Sequence, residues 1–199
     1  MGEYEININR SDLKFSCAHF IAFKGFRERL HGHNYTLSLR LTAQNTLSDD
    51  GYVIDFGIVK NIMRRLCKNL HEKFICPCES DVLQITEESG QVRIVCEDGS
   101  VFSFPKGDCA MLPIRHSSAE ELAQYMCCAI VRELTLPCLV ERHIQRIDVG
   151  IAEGVGQESR FKCNIPCSQE EFDHIFGVLP QSSFVPTSCT KTHNDIVDT

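Results

Sequence analysis

The chain has 199 residues and a formal charge of −7, with neither a Lys/Arg run nor an apolar stretch of membrane-spanning length. These properties set aside a nucleic-acid surface, an anionic-membrane surface and a transmembrane protein, and they allow one packed domain with a tail. Met1-Gly2-Glu3-Tyr4-Glu5 reads as no secretory leader, and Glu3 with no nearby basic patch argues against a myristoylation start. A cytoplasmic protein is therefore expected, with its twelve cysteines as reduced thiols.

In chain order, Leu13 to Phe23 and Asn34 to Ala43 read as two strands of a meander. In the second, Tyr35, Leu37, Leu39 and Leu41 alternate with polar residues, the pattern of a half-buried strand. His31-Gly32-His33 opens that strand, and side chains two apart on a strand share a face. With His19 on the preceding strand, three imidazoles can converge and leave one position open, the usual arrangement of a catalytic zinc. Between the strands lies a polar loop, Lys24 to Arg29, which carries Glu28. Asp49-Asp50-Gly51 marks a turn, and Phe56 to Leu70 repeats apolar residues at helical spacing behind Asp55 as N-cap.

Val82 to Ile85, Val92 to Cys96 and Val101 to Phe104 read as short strands of an inserted hairpin structure, joined by Gly-containing turns. Cys76-Pro77-Cys78 lacks a second pair at structural-zinc spacing. A second helix starts at Ser117 or Ser118 and runs to about Glu133. Ile144 to Ala152 and Arg160 to Asn164 close as strands. Gln169 to Leu179 can form a short amphipathic helix, and Pro180 to Thr199, rich in Ser, Thr, Pro and Asn, is expected to be disordered or loosely docked. The order of elements suggests an α+β antiparallel sheet with helices on one side. The domain is expected over 1–165, with 166–199 as its tail.

Five segments together resemble the 6-pyruvoyltetrahydropterin synthase family over roughly residues 4 to 165. They are Phe15-Ser16-Cys17-Ala18-His19, His31-Gly32-His33-Asn34-Tyr35, Gly51-Tyr52-Val53-Ile54-Asp55-Phe56, Ser118-Ala119-Glu120 and Val149-Gly150-Ile151-Ala152-Glu153. The resemblance implies the tunnelling fold, a four-stranded antiparallel sheet with two helices on one face, assembled as a homohexamer. It implies that His19, His31 and His33 hold Zn2+, that Glu153 anchors the pterin ring, and that Ser118, Ala119 and Glu120 line the ring slot.

Two departures bear on the reaction. Family members that make 6-pyruvoyltetrahydropterin carry a catalytic cysteine in the loop before His-Gly-His. Here the loop has none, and Glu28 stands three residues before His31. A subgroup with glutamate in that role is associated with cleaving the side chain of 7,8-dihydroneopterin triphosphate to 6-hydroxymethyl-7,8-dihydropterin, a folate precursor, and this chain resembles it most. The family's Leu-Asp-His segment appears here as Leu70-His71-Glu72. The proton relay can therefore run through His71, through Glu72, or through neither. Arg27 and Arg29 flank Glu28 and suit the triphosphate or are solvated loop charges. Cys17 is a nucleophile, a fourth ligand or a small packed residue. The alternatives to cleavage are triphosphate elimination, 6-carboxytetrahydropterin synthesis, and a non-catalytic zinc- or pterin-binding protein.

Overall fold

The computed structural model describes residues 2–177. The chain runs through β1 (Glu3–His19), β2 (Ala22–Phe23), β3 (Phe26–Arg27), β4 (His31–Gln44), α1 (Phe56–Leu70), β5 (Lys73–Pro77), β6 (Leu83–Glu88), β7 (Gln91–Cys96) and β8 (Val101–Pro105). It continues through β9 (Cys109–Leu112), α2 (Ala119–Leu134), α3 (Leu136–Glu141), β10 (Ile144–Gly154), β11 (Gln157–Asn164) and α4 (Gln169–Phe176). No helix is long and apolar enough to cross a membrane. The stretch from Pro180 onward lies outside the described residues.

The main sheet has six strands in the order β11-β10-β4-β1-β5-β9. The four expected strands form its antiparallel part, β11 to β1. The expected count of four is corrected by β5 and β9, which add in parallel beyond β1. Each is a brief, buried run without alternation, so it carries no period-two signal. The connection from β5 to β9 is itself a three-stranded sheet, β6-β7-β8, in place of the more usual helix. β1 also begins earlier than Leu13. Ile6 and Ile8 continue the alternation, but the register shifts between Asn9 and Lys14, and polar residues there hide the strand.

Both long helices cover one face of the sheet. Tyr35, Leu37, Leu39 and Leu41 of β4 and Ile147, Val149 and Ile151 of β10 are wholly buried in one cluster with Val59, Ile62 and Met63 of α1 and Leu122, Met126 and Ile130 of α2. Each such side chain contributes about 1.5–3 kcal/mol by leaving water. The opposite face is polar. There Arg160 bonds Asp148 (2.7 Å), Ser38 (3.0 Å) and Glu158 (2.8 Å) over Gly150, where a Cβ would come within 2.3–2.5 Å of this network. A second, smaller core lies under the β6-β7-β8 sheet and includes Phe20, Phe74, Val92 and Ile94.

Three details complete the frame. Arg142, only 1 % exposed, closes the turn at Gly51 through Asp50 (2.7 Å) and stacks over Tyr52. The segment expected as tail is partly core, because α4 buries Phe172 and Phe176 and the Phe176 carbonyl accepts from Arg132. Ten of the described cysteines are free thiols.

Glu133 of α2 is fully buried and paired with Arg65 of α1, which is half-exposed. Removing the cation strands a buried carboxylate, a strongly unfavourable change, whereas an apolar pair in the same place is tolerated. Arg65→Met should therefore cost about 2–4 kcal/mol, and adding Glu133→Leu should recover most of it. Denaturant unfolding at fixed protein concentration checks both.

Candidate active site and metal centre

The pairing of β1 with β4 sets His19 opposite His31 and Cys17 opposite His33. Directly paired residues on adjacent strands project to one face, so all three imidazoles meet at one corner of the sheet. Their ligand-type nitrogens lie within 4.8 Å of one another, the one such convergence of three or more metal-ligand side chains among the described residues. The ring centroids are 4.6 to 5.1 Å apart.

Hydrogen bonds around the rings select the nitrogens that remain. His19 Nδ1–H donates to the Ser117 carbonyl at 2.8 Å, and His31 Nδ1–H donates to the Arg29 carbonyl at 2.8 Å. Each bond leaves Nε2 with a lone pair, as metal-ligating histidines usually have. Burial holds the His19 pKa down, the neighbouring His31 and His33 add to this, and the ring stays neutral. The Tyr35 hydroxyl lies 3.2 Å from His19 Nε2 but donates to Glu153 Oε1 at 3.1 Å. The His19 lone pair thus meets an oxygen without a proton, an environment suited to a cation. The donor set fits a zinc ion with an open position.

Tyr35 joins this corner to the next feature. Burial first, then the Glu153 charge, pushes its pKa up, so the hydroxyl keeps its proton and remains a donor. Glu153 also lines a cleft of about 310 Å³ with Ile21, Ser118, Glu120 and Gln157. Ser118 is the N-cap of α2 and accepts from the Glu121 amide. The structure therefore gathers the expected ring-slot residues, Ser118, Glu120 and Glu153, beside the histidines.

Glu28 is half-buried in the loop between β1 and β4. Its Oε2 accepts from the Ile21 amide at 3.1 Å, and its own amide donates to the Ile21 carbonyl at 2.9 Å. Its charge is among those that raise Tyr35, which puts the carboxylate within electrostatic reach of the histidine corner.

The remaining candidates go elsewhere. Arg27 commits its guanidinium to Asp98 (2.8 Å), Ser100 (3.0 Å) and the Glu28 carbonyl (2.7 Å), which clamps the loop. The Arg29 side chain is exposed, and its carbonyl orients His31. His71 ends α1, and its Nδ1 accepts from the Ser16 amide at 3.0 Å. That contact lies on the β5 side of β1, away from β4, so within one chain His71 does not join the three histidines. Glu72, at φ +60°, shares a cleft of about 450 Å³ with His33, Ser16 and Asn34. Cys17 is buried, and burial pushes its thiol up to about 12, which suits packing rather than nucleophilic attack.

Two contributors escaped sequence reasoning. Tyr35 reads as a core-strand residue and as the end of the His31–Tyr35 segment, with no role of its own, although its place two residues after His33 puts it on the metal face. Ser117 acts through its carbonyl, a group every residue has, and so leaves no sequence signal. Its hydroxyl donates to the Phe20 carbonyl at 2.9 Å.

The family model "6-pyruvoyl tetrahydropterin synthase" matches residues 8–158. A putative 6-carboxy-5,6,7,8-tetrahydropterin synthase of Methanocaldococcus jannaschii is 30% identical over 158 residues, 79% of this chain and 94% of the relative. The crystal structure of 6-pyruvoyl tetrahydropterin synthase from Plasmodium vivax has a TM-score of 0.79 at 45% identity, covering 83% of this chain and 100% of that one. The Plasmodium falciparum counterpart has the same TM-score and coverage at 41% identity. Two further P. vivax structures are described as catalytic-residue mutants in which a glutamate is replaced by alanine or by cysteine.

With two ligands left, an open three-histidine site loses ordinary affinity. His31→Ala should therefore reduce bound zinc from one per chain to a small fraction of that, measured by elemental analysis after dialysis. Full occupancy in the variant would contradict the ligand set.

Proposed function

This chain belongs to the 6-pyruvoyl tetrahydropterin synthase family of pterin-metabolising enzymes, and we propose that it is a zinc-dependent lyase cleaving the side chain of 7,8-dihydroneopterin triphosphate to 6-hydroxymethyl-7,8-dihydropterin. The observation that carries this reading is the oriented carboxylate of Glu28 in a loop without a thiol, strung between the strands that bear His19 and His31. The catalytic glutamate named for the P. vivax structures, from a protein 45% identical to this chain, supports the same assignment.

In this reading Glu153 accepts hydrogen bonds from the N2/N3 edge of the pterin, with Tyr35 holding one of its two oxygens in place. Ser118 and Glu120 flank the ring in the cleft they share with Glu153. Zinc, when bound by His19, His31 and His33, supplies Lewis-acid polarisation of the side-chain hydroxyls. Glu28 takes the proton of the C2′ hydroxyl. The electrons of that O–H bond form the C2′ carbonyl as the C1′–C2′ bond breaks, and the conjugated dihydropterin absorbs the pair left on C1′. A proton delivered to C1′, from Glu28 or from Glu72 through the cleft of His33, completes the hydroxymethyl product. Ile21 holds the Glu28 carboxylate in line for this work.

The M. jannaschii relative gives a second reading, 6-carboxytetrahydropterin synthesis, specific weight. In the family that route and the pyruvoyl route use a loop cysteine, and here the nearest thiol, Cys17, is buried with a raised pKa. The reading also extends to assembly. β11 and β9 leave both outer edges of the main sheet unpaired among the described residues, which suits completion by neighbouring copies in a homohexamer. Sedimentation should give a multimer, and a fully active monomer would contradict the arrangement.

General acid–base catalysis is typically worth about 10²–10⁴ in rate. Glu28→Gln should slow consumption of dihydroneopterin triphosphate by about that factor while zinc content holds. Chromatography of the wild-type reaction should show the hydroxymethyl product. A pyruvoyl or carboxy product, or unchanged turnover in the variant, would overturn the reading.

A further inference from the structure

We propose that the β6-β7-β8 sheet belongs to the catalytic apparatus: through Arg27, its turn at Glu97 to Ser100 fixes the backbone that carries Glu28, making Arg27 and Asp98 positioning residues. The inference rests on Glu28 being the catalytic base. It assigns a task to a unit that otherwise only connects two parallel strands.

The geometry is that of a three-way clamp. Arg27 Nε–H donates to Asp98 Oδ2 at 2.8 Å, and Nη2 donates to Ser100 Oγ at 3.0 Å. From the same planar group, Nη1 donates to the Glu28 carbonyl at 2.7 Å. One rigid guanidinium thus ties the turn after β7 to the peptide unit that bears the base. The turn is itself set, since Asp98 Oδ1 accepts from the Ser100 amide at 2.9 Å. The guanidinium also lies 5.8 Å from the Phe20 ring centroid and 5.5 Å from that of Phe102, two rings stacked at 5.0 Å. Phe20 follows His19 directly, and Phe102 belongs to β8, so the same contact joins the sheet to the end of β1.

A second tie holds the hairpin tip. The Gly25 amide donates to Glu97 Oε2 at 3.1 Å, with Gly25 at φ +80° in the turn between β2 and β3. Ala22 pairs with Arg27 and Phe23 with Phe26, so this hairpin is only two residue pairs long. So short a hairpin is at best marginally stable alone. The acidic contacts of Glu97 and Asp98 in the turn after β7 tie it down. In the Arg27–Asp98 pair the guanidinium is the sheltered partner, 18% exposed and flanked by aromatic rings, while the Asp98 carboxylate is 44% exposed.

The catalytic consequence is geometric. Glu28 is aimed by the Ile21 amide, and this bond keeps its length only while the Glu28 main chain stays in register with Ile21. A displacement of about 1 Å at a catalytic group can cost about 10²-fold in rate. Loosening the clamp should therefore lower kcat and leave metal binding and the Glu153 anchor of the pterin cleft in place, since His19, His31, His33 and Glu153 take no part in the bonds of Arg27.

The test is a double-mutant cycle on the zinc-loaded enzyme, following steady-state consumption of dihydroneopterin triphosphate. Asp98→Asn should lower kcat by about 10- to 100-fold with KM within twofold and zinc content unchanged. Ser100→Ala, a milder lesion, should give a smaller loss of the same kind. In a Glu28→Gln background, Asp98→Asn should have almost no further effect, because residues acting through one group are not additive. Amide exchange at Gly25 and Glu28 should quicken in Asp98→Asn. Equal losses in both backgrounds, an effect confined to KM or zinc, or wild-type kcat in Asp98→Asn beside an impaired Glu28→Gln would each overturn the positioning role. A Glu28→Gln enzyme that turns over like wild type would instead strike the catalytic reading, and the clamp's role with it.

Discussion

Everything at the site depends on the pairing of β1 with β4. One register sets Phe15 against Tyr35, Cys17 against His33 and His19 against His31. The first pair stacks at 5.1 Å in the core, and the last brings two imidazoles together. A slip by one residue would turn the histidines to the polar face and carry Leu37, Leu39 and Leu41 out of the core with them. Core burial therefore protects the site geometry. The shift between Asn9 and Lys14 lies on the far side of this stretch and leaves the His19 end in strict register.

From that corner, order spreads through groups that each serve two neighbours. Ser117 accepts from His19 while its hydroxyl reaches the Phe20 carbonyl, so the entry to α2 and the end of β1 are fixed together. Glu121 in the first turn of α2 accepts from the amides of Arg115 and His116 and from the His116 ring, which holds the segment leading to Ser117. Tyr35 lies between His19 and Glu153 and couples the metal corner to the cleft. The bonds of His19 and Ser117 are buried, where a satisfied network rigidifies its members more than isolated pairs would.

Much of this was legible in the sequence wherever a period or a motif carried it. Phe56 to Leu70 reads as a helix and is one, because an amphipathic face and the Asp55 cap agree. The three histidines were legible because strand alternation and spacing act together. β5 and β9 were not, since short parallel strands buried on both sides lack alternation. The clamp made by Arg27 was not legible, because its partners, Asp98 and Ser100, lie about seventy residues away. Long-range pairing of that kind leaves no local trace. The same holds for His71, whose helix-end position is readable but whose partner on β1 is not.

α4 carries a consequence for where this protein can be cut. The family match ends at residue 158, and composition changes after Pro166, yet Phe172 and Phe176 reach the main core. A fragment ending at 165 would uncover the part of α2 that these two rings shield. Each ring can cover 150 Å² or more, so the newly bared patch would approach about 300 Å². Such a fragment would be prone to self-association, and its failure to stay in solution would report a missing helix rather than a damaged active site. A shortened form of this chain is therefore better ended beyond Gly177 than at the edge of the family match.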